Sequence, residues 1–164
     1  MTIDERLAQL INLDADTRLR EEARRLVRDF LETHPSARIS PTQLHGLRQV
    51  ASQQPSRVAS FAKHQSDREQ AKETDKAFWK LVHQIVSSSG QQPRWSLRKH
   101  AAEQAKAVFV DSEVQGSADP TKKQIDEVLH RYIPVFFSLF CVEFLYQQQL
   151  RANQSQKAKK GNKP

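Results

Sequence analysis

Three observations predict an all-α chain folded as one compact bundle of about five to six helices. Only four glycines occur in 164 residues, and Ala, Leu, Gln, Glu, Lys and Arg are abundant. Apolar residues recur at helical spacing in segment after segment, and no alternating strand pattern is found. A chain of this length supports a single core. The predicted domain covers residues 1–151, with an N-terminal helical hairpin in 1–33, basic central helices in 40–110 and an apolar C-terminal helix in 120–151. A basic disordered tail follows over 152–164.

In the first segment Ile3, Leu7, Leu10 and Ile11 share one face. After a break at Asp14, Ala15 and Asp16, the residues Leu19, Ala23, Leu26 and Phe30 form a second face. Two amphipathic runs with a break between them predict a hairpin. Its outer side mixes Arg18, Arg20, Arg24, Arg25 and Arg28 with Glu21, Glu22, Asp29 and Glu32, so pairs four residues apart neutralise it and the segment reads as scaffold. Residues 34–39 are a linker.

Ser40, Pro41 and Gln43 make a capping box with proline in the first turn, which starts a helix at Pro41. Leu44, Leu47 and Ala51 point inward, leaving His45, Arg48, Gln49 and Ser52 outside with no carboxylate among them. A second helix follows Pro55 with Ser56 as its cap, buries Val58, Phe61 and Ala62, and lines up Arg57, His64 and Arg68 on one flank. Residues 75–89 form the next helix, with Phe78, Leu81, Val82 and Ile85 inside and an acid-free stripe of Lys76, Lys80, His83 and Ser87 outside. Each stripe fits either a solvated face or a polyanion contact. Two of them on neighbouring helices point to a shared furrow.

Gly90 and Pro93 break the chain before a helix capped by Ser96. Around this start Arg94, Arg98, Lys99 and His100 crowd Trp95, which either plugs the core or stacks a base while its neighbours hold a phosphate. That helix runs through Leu97, Ala101, Ala105, Val108 and Phe109 and fails over residues 111–120. Asp119 and Pro120 open the last helix, which Pro134 should kink. Its run VFFSLFCVEFLY is apolar nearly all round, so it is either a buried central helix or a surface that docks on another subunit through Phe137 and Phe140. The run is too short for a membrane span and carries Glu143.

The chain has 26 Lys and Arg against 19 Asp and Glu. Residues 1–33 hold six bases and eight acids, whereas residues 34–72 hold six bases and two acids. The middle of the chain is therefore the basic part, and nucleic acid is the partner that such a charge favours. The lone Cys141 allows no internal disulfide, and MTIDERLAQL lacks a secretion signal, so a cytoplasmic location is expected. Six scattered histidines form no metal-binding pattern, and no glycine-rich phosphate loop exists, so neither metal nor cofactor is expected. Arg94 with His100, or Arg57 with His64, imitates the Arg and His pair of helical ribonucleases of the HEPN kind. The residues that follow, Trp95 and Val58, are not the polar one usual there.

Three segments carry a family resemblance: ISPTQLHGLR at 39–48, FAKHQSDR at 61–68 and YIPVFFSLFCVEFLY at 132–146. In order and character they resemble the small all-helical subunit of type III CRISPR effector complexes, with Pro41, His45 and Gly46 departing from its usual residues. The resemblance implies a non-catalytic bundle in antiviral defence that stacks in copies along the effector backbone. It would touch guide RNA and target strand through charge and shape. Its partners would be RNA (guide, target or both), other effector subunits and copies of itself, with no membrane. Arg48 takes the place of the motif arginine, and Lys63 and Arg68 take the basic positions of the next helix. The stripes add Arg57 and Lys80, and the Trp95 cluster adds Arg94 and Arg98. Two other readings stand beside this one. Residues 41–53 and 56–68 fit a helix-turn-helix regulator of duplex DNA, and the apolar C-terminal run fits a helical adaptor that docks a protein.

Overall fold

Thr2 starts the first helix: its hydroxyl accepts from the Glu5 amide while the Glu5 carboxylate accepts from the Thr2 amide. This reciprocal cap satisfies two donors that a helix start leaves unpaired. The computed structural model describes residues 1–109 and 119–161. In it this helix, α1 (Ile3–Asp14), passes through a π-helical turn, Ala15–Leu19, straight into α2 (Arg20–Thr33). Residues 3–33 are thus one rod, and the predicted hairpin is not formed. The π turn carries one residue more than an α turn. That extra residue brings Leu19 back to the face of Leu7 and Ile11, and all three are buried. The apolar phase jump that looked like a break is this inserted residue.

Ser40 and Gln43 form the expected capping box of α3 (Pro41–Gln53). A single 3-10 turn, Pro55–Arg57, leads into the short α4 (Val58–Ser66), and Ser56 makes no capping bond there. The chain then turns and resumes as α5 (Glu73–Ser87), whose buried side includes Trp79 and Val86 beside Phe78, Val82 and Ile85. The Ser96 hydroxyl accepts from the Lys99 amide and so caps α6 (Leu97–Phe109). The predicted helix failure over 111–120 lies largely outside the described residues. α7 (Lys122–Gly161) opens on a reciprocal pair between Thr121 and Gln124, not on Asp119.

α7 is 40 residues long, a rod of about 60 Å. Pro134 lies inside it, and it does not end at Arg151 as predicted. Residues 152–161 continue the helix because their Gln, Ala and Lys residues supply good helical propensity and the preceding turns have already nucleated it. Residues 162–164 of the predicted tail lie outside the described set. By length and hydropathy α7 meets the measure of a membrane-crossing helix, contrary to the length expected of its apolar run, but half of that stretch is buried against other helices.

α2, α3 and α6 pack along α7, and α4 packs mainly on α5. Phe136, Phe137, Phe140 and Phe144 are fully buried and form an aromatic spine. Phe140 lies 6.1 Å from Phe78 of α5, and Phe144 lies 5.2 Å from Phe78 and 5.7 Å from Phe30 of α2. Phe137 and Phe140 are therefore core residues at 0% exposure, which corrects their assignment to a partner interface. The exposed apolar side of α7 lies elsewhere, at Val142, Leu145, Tyr146 and Leu150. Because Phe140 fills a closed aromatic core, Phe140→Ala should cost about 3–5 kcal/mol and lower Tm by on the order of 10 °C. Thermal denaturation followed by circular dichroism checks this, and an unchanged Tm would return Phe140 to the surface.

Candidate nucleic-acid interface

The loop between α5 and α6 carries Arg94 and Trp95, and hydroxyls and one lysine pin it from inside. The Ser88 hydroxyl donates to the Gln92 carbonyl and the Ser96 hydroxyl to the Ser88 carbonyl, each at 2.7 Å. Lys99 Nζ donates to the Pro93 and Arg94 carbonyls at 3.0 and 3.3 Å. Lys99 is thus used as a staple for the loop. Trp95 is half-buried, resting on Phe136 at 5.4 Å and on His100 at 5.8 Å.

His100 is buried, and its Nε2 donates to Asp14 Oδ2 at 2.9 Å. The Tyr132 hydroxyl donates to the same oxygen at 2.5 Å. Asp14, the last residue of α1, comes three residues after Ile11 and so directs its carboxylate from the buried side of that helix toward α6 and α7. Burial, then the bond to Asp14 and the charge of Asp14, hold the Tyr132 hydroxyl well above the usual phenol range. His100 Nδ1 is buried without a hydrogen-bond partner among the described residues. With Nε2 committed to Asp14, His100 does not face outward beside Arg94 as a ribonuclease pair would require.

A cleft of about 960 Å³ opens between α2, α5 and this pinned loop. Arg18, Arg25 and Arg28 come from the first rod, Lys80 from α5 and Arg94 from the loop, with Trp95, Phe30 and His34 among the rings that line it. His34 stacks on Phe30 at 4.6 Å. Glu22 and Asp29 are the carboxylates in the same wall. Arg18 lies 3.4 Å from Glu22, Arg25 lies 3.4 Å from Glu21 and 3.7 Å from Glu22, and Arg28 lies 3.5 Å from Asp29. Lys80 and Arg94 are exposed and enter no ion pair among the described residues.

The expected furrow of Arg48, Arg57, Arg68 and Lys80 is not assembled. Arg48 lines a second, smaller concavity of about 470 Å³ with His45, Gln49, Ser52 and Gln53 of α3 and Pro134 and Ser138 of α7. Its charge reaches Cys141 behind the groove, where burial nevertheless pushes the thiol up to about 12. Arg57, Lys63 and Arg68 are exposed around α4 and line neither concavity, and Arg68 reaches only Gln65, at 3.3 Å. Arg98 is corrected outright: it is paired with Asp126 of α7 at 3.0 Å, and its side chain is 21% exposed. It ties α6 to α7 and is not presented to a ligand. Of the predicted set, the cleft gathers Lys80 and Arg94.

Arg18, Arg25 and Arg28 were missed because balanced charge on one helix reads as solvated surface. One sequence signal could have flagged them. Glu22 falls three residues after Leu19 and four before Leu26, inside the apolar stripe, where a carboxylate requires assigned partners. No protein-family model, curated protein or solved structure matches this chain. Among the described residues no group of three His, Cys, Asp or Glu is placed to hold a metal ion.

Tyr132 and Cys141 stay protonated in the fold at pH values where they ionise in the unfolded chain. The unfolded state therefore binds fewer protons, and stability falls as pH rises from the ordinary thiol and phenol range toward the raised values. Each group should contribute a slope of about 1.4 kcal/mol per pH unit in that window. Denaturant titrations from neutral to strongly alkaline pH measure it. Tyr132→Phe should remove the phenol's part of the slope, and an identical slope in that variant would refute the assignment.

Proposed function

We propose that this chain is a non-catalytic subunit that binds the sugar-phosphate backbone of single-stranded RNA or DNA, as part of a multisubunit CRISPR effector in antiviral defence. The observation that carries the reading is the cleft: five cations from three separate parts of the chain line it, together with an indole. Guanidinium forks match phosphate oxygens, and an aromatic face accepts any base, so the pairing favours backbone contact without sequence choice. Arg48, in its own groove, supplies a further contact along the strand. The effector assignment is supported by the order of the three segments at 39–48, 61–68 and 132–146.

The exposed stripe of Val142, Leu145, Tyr146 and Leu150 favours a second role, contact with a neighbouring subunit of the assembly. It replaces Phe137 and Phe140 in that reading. The regulator reading gains no comparable support, since the cations of α3 and α4 share no concavity.

Fluorescence anisotropy with labelled oligouridylate tests the backbone reading. Affinity should fall steeply with salt, and Lys80→Ala or Arg94→Ala should each flatten the log–log slope by about 0.7 for every phosphate left without its cation. Single strands of mixed sequence and the same length should bind about as tightly as oligouridylate. Tight binding to one duplex over its scrambled versions would instead support a regulator, and no binding at all would end the proposal.

A further inference from the structure

Glu22 is a carboxylate in the wall of a cationic cleft, and its side chain is only 7% exposed. Coulomb's law alone makes it a handicap there, since it repels the phosphate that the cleft is proposed to hold. Its placement suggests otherwise. Oε1 lies 3.4 Å from Arg18 Nε, one turn earlier, and 3.7 Å from Arg25 Nη1, one turn later. Both guanidiniums line the cleft, and their side chains remain 53% and 44% exposed.

We infer that Glu22 is a positioning residue: from beneath the wall it holds Arg18 so that its outer N–H groups face the strand, and it fixes Arg25, whose other terminal nitrogen is taken by Glu21, in the same wall. This rests on the reading of the cleft as a backbone site and names what organises it. Arg18 meets Glu22 through Nε, which leaves its two Nη groups as an outward pair matched to two phosphate oxygens. An arginine held in place before the ligand arrives loses less freedom on binding than a mobile one. The burial of Glu22 matters too. A shielded carboxylate interacts strongly with the guanidiniums that touch it, whereas water and salt screen its repulsion of a phosphate farther out.

The two effects of Glu22 have opposite signs, so substitution separates them. Glu22→Gln removes the negative charge and keeps the side-chain length. If Glu22 acts only as a charge, oligouridylate should bind more tightly and the salt slope should steepen. If it positions the arginines, affinity should fall roughly tenfold, as for removal of one charge-assisted hydrogen bond, and the slope should flatten.

Arg18→Lys keeps the charge at a half-exposed position and removes the Nε contact and the fork. It should show the same loss, and adding Glu22→Gln to it should cost much less than in the wild type. This arm stands even if Glu22→Gln proves unstable, because Arg18 is not a core residue. Tighter binding by Glu22→Gln, or wild-type affinity in Arg18→Lys, overturns the positioning role. If Lys80→Ala and Arg94→Ala weaken binding in the same assay, the backbone reading survives that result. If neither they nor the Glu22 and Arg18 variants change binding, the cleft itself is wrong.

Discussion

The aromatic spine of α7 is the constraint on which the other elements depend. A helix with this many aromatic residues on one side has to bury that side, and α2, α3 and α6 cover it while α5 delivers Phe78 to the same core. Burying a phenyl ring contributes about 1.5–3 kcal/mol, and edge-to-face pairs such as Phe78 with Phe144 add about 0.5–1.5 kcal/mol. The geometry of the spine also positions the cleft. Phe30 reaches Phe144 from α2 and Trp95 reaches Phe136 from the loop, so two residues of the cleft lining are fastened to one central helix.

A second tie runs through the polar cluster beneath Trp95. Asp14 accepts from both His100 and Tyr132, which links the first rod, α6 and α7 at one oxygen. Such a cluster is costly to leave half-made, because each buried polar group has lost water. Asp14 lies on the buried side of α1 by ordinary helical spacing, three residues after Ile11. The π turn that follows returns Leu19 to that same side, so the rod is docked on both sides of the cluster that supports Trp95.

The bundle was readable from sequence where a local rule decided the outcome. Ser40 with Gln43 and Ser96 before α6 were capping signals, and Leu44, Leu47 and Ala51 or Val82 and Ile85 fell at helical spacing. The rod over 3–33 was not readable, because an inserted residue and a chain reversal shift the apolar phase alike. The extent of α7 was missed because polar composition after Arg151 suits either a tail or a helix continued from a nucleated one. The cleft was only partly readable. Lys80 stood out in an acid-free stripe and Arg94 for crowding Trp95, but their partnership with Arg18, Arg25 and Arg28 is a tertiary fact, set by how α2 packs along α7 while Phe78 of α5 reaches the same aromatic core. Arg98 failed for the complementary reason: its acid, Asp126, is distant in sequence and adjacent in space.

Both walls of the cleft carry cations, which would repel one another if left uncompensated, and the fold has to tolerate this. It does so in two ways. The arginines of α2 are paired with acids on their own helix, which lowers the net charge of that wall without emptying it of donors. Lys80 and Arg94 are exposed, so water and salt screen them over roughly 8–10 Å. An anion entering between the walls would be attracted from both sides and would remove the repulsion. A neutral ligand would gain neither. Charge placement of this kind contributes little to the stability of the empty protein, since exposed ion pairs are worth about 0–1 kcal/mol. Its effect would be felt when a polyanion displaced counterions from both walls at once. The acids of α2 are thus compatible with the proposed site: they would keep the arginines ordered while the cleft is empty, and the facing lysine and arginine would supply the unpaired charge that draws a strand in.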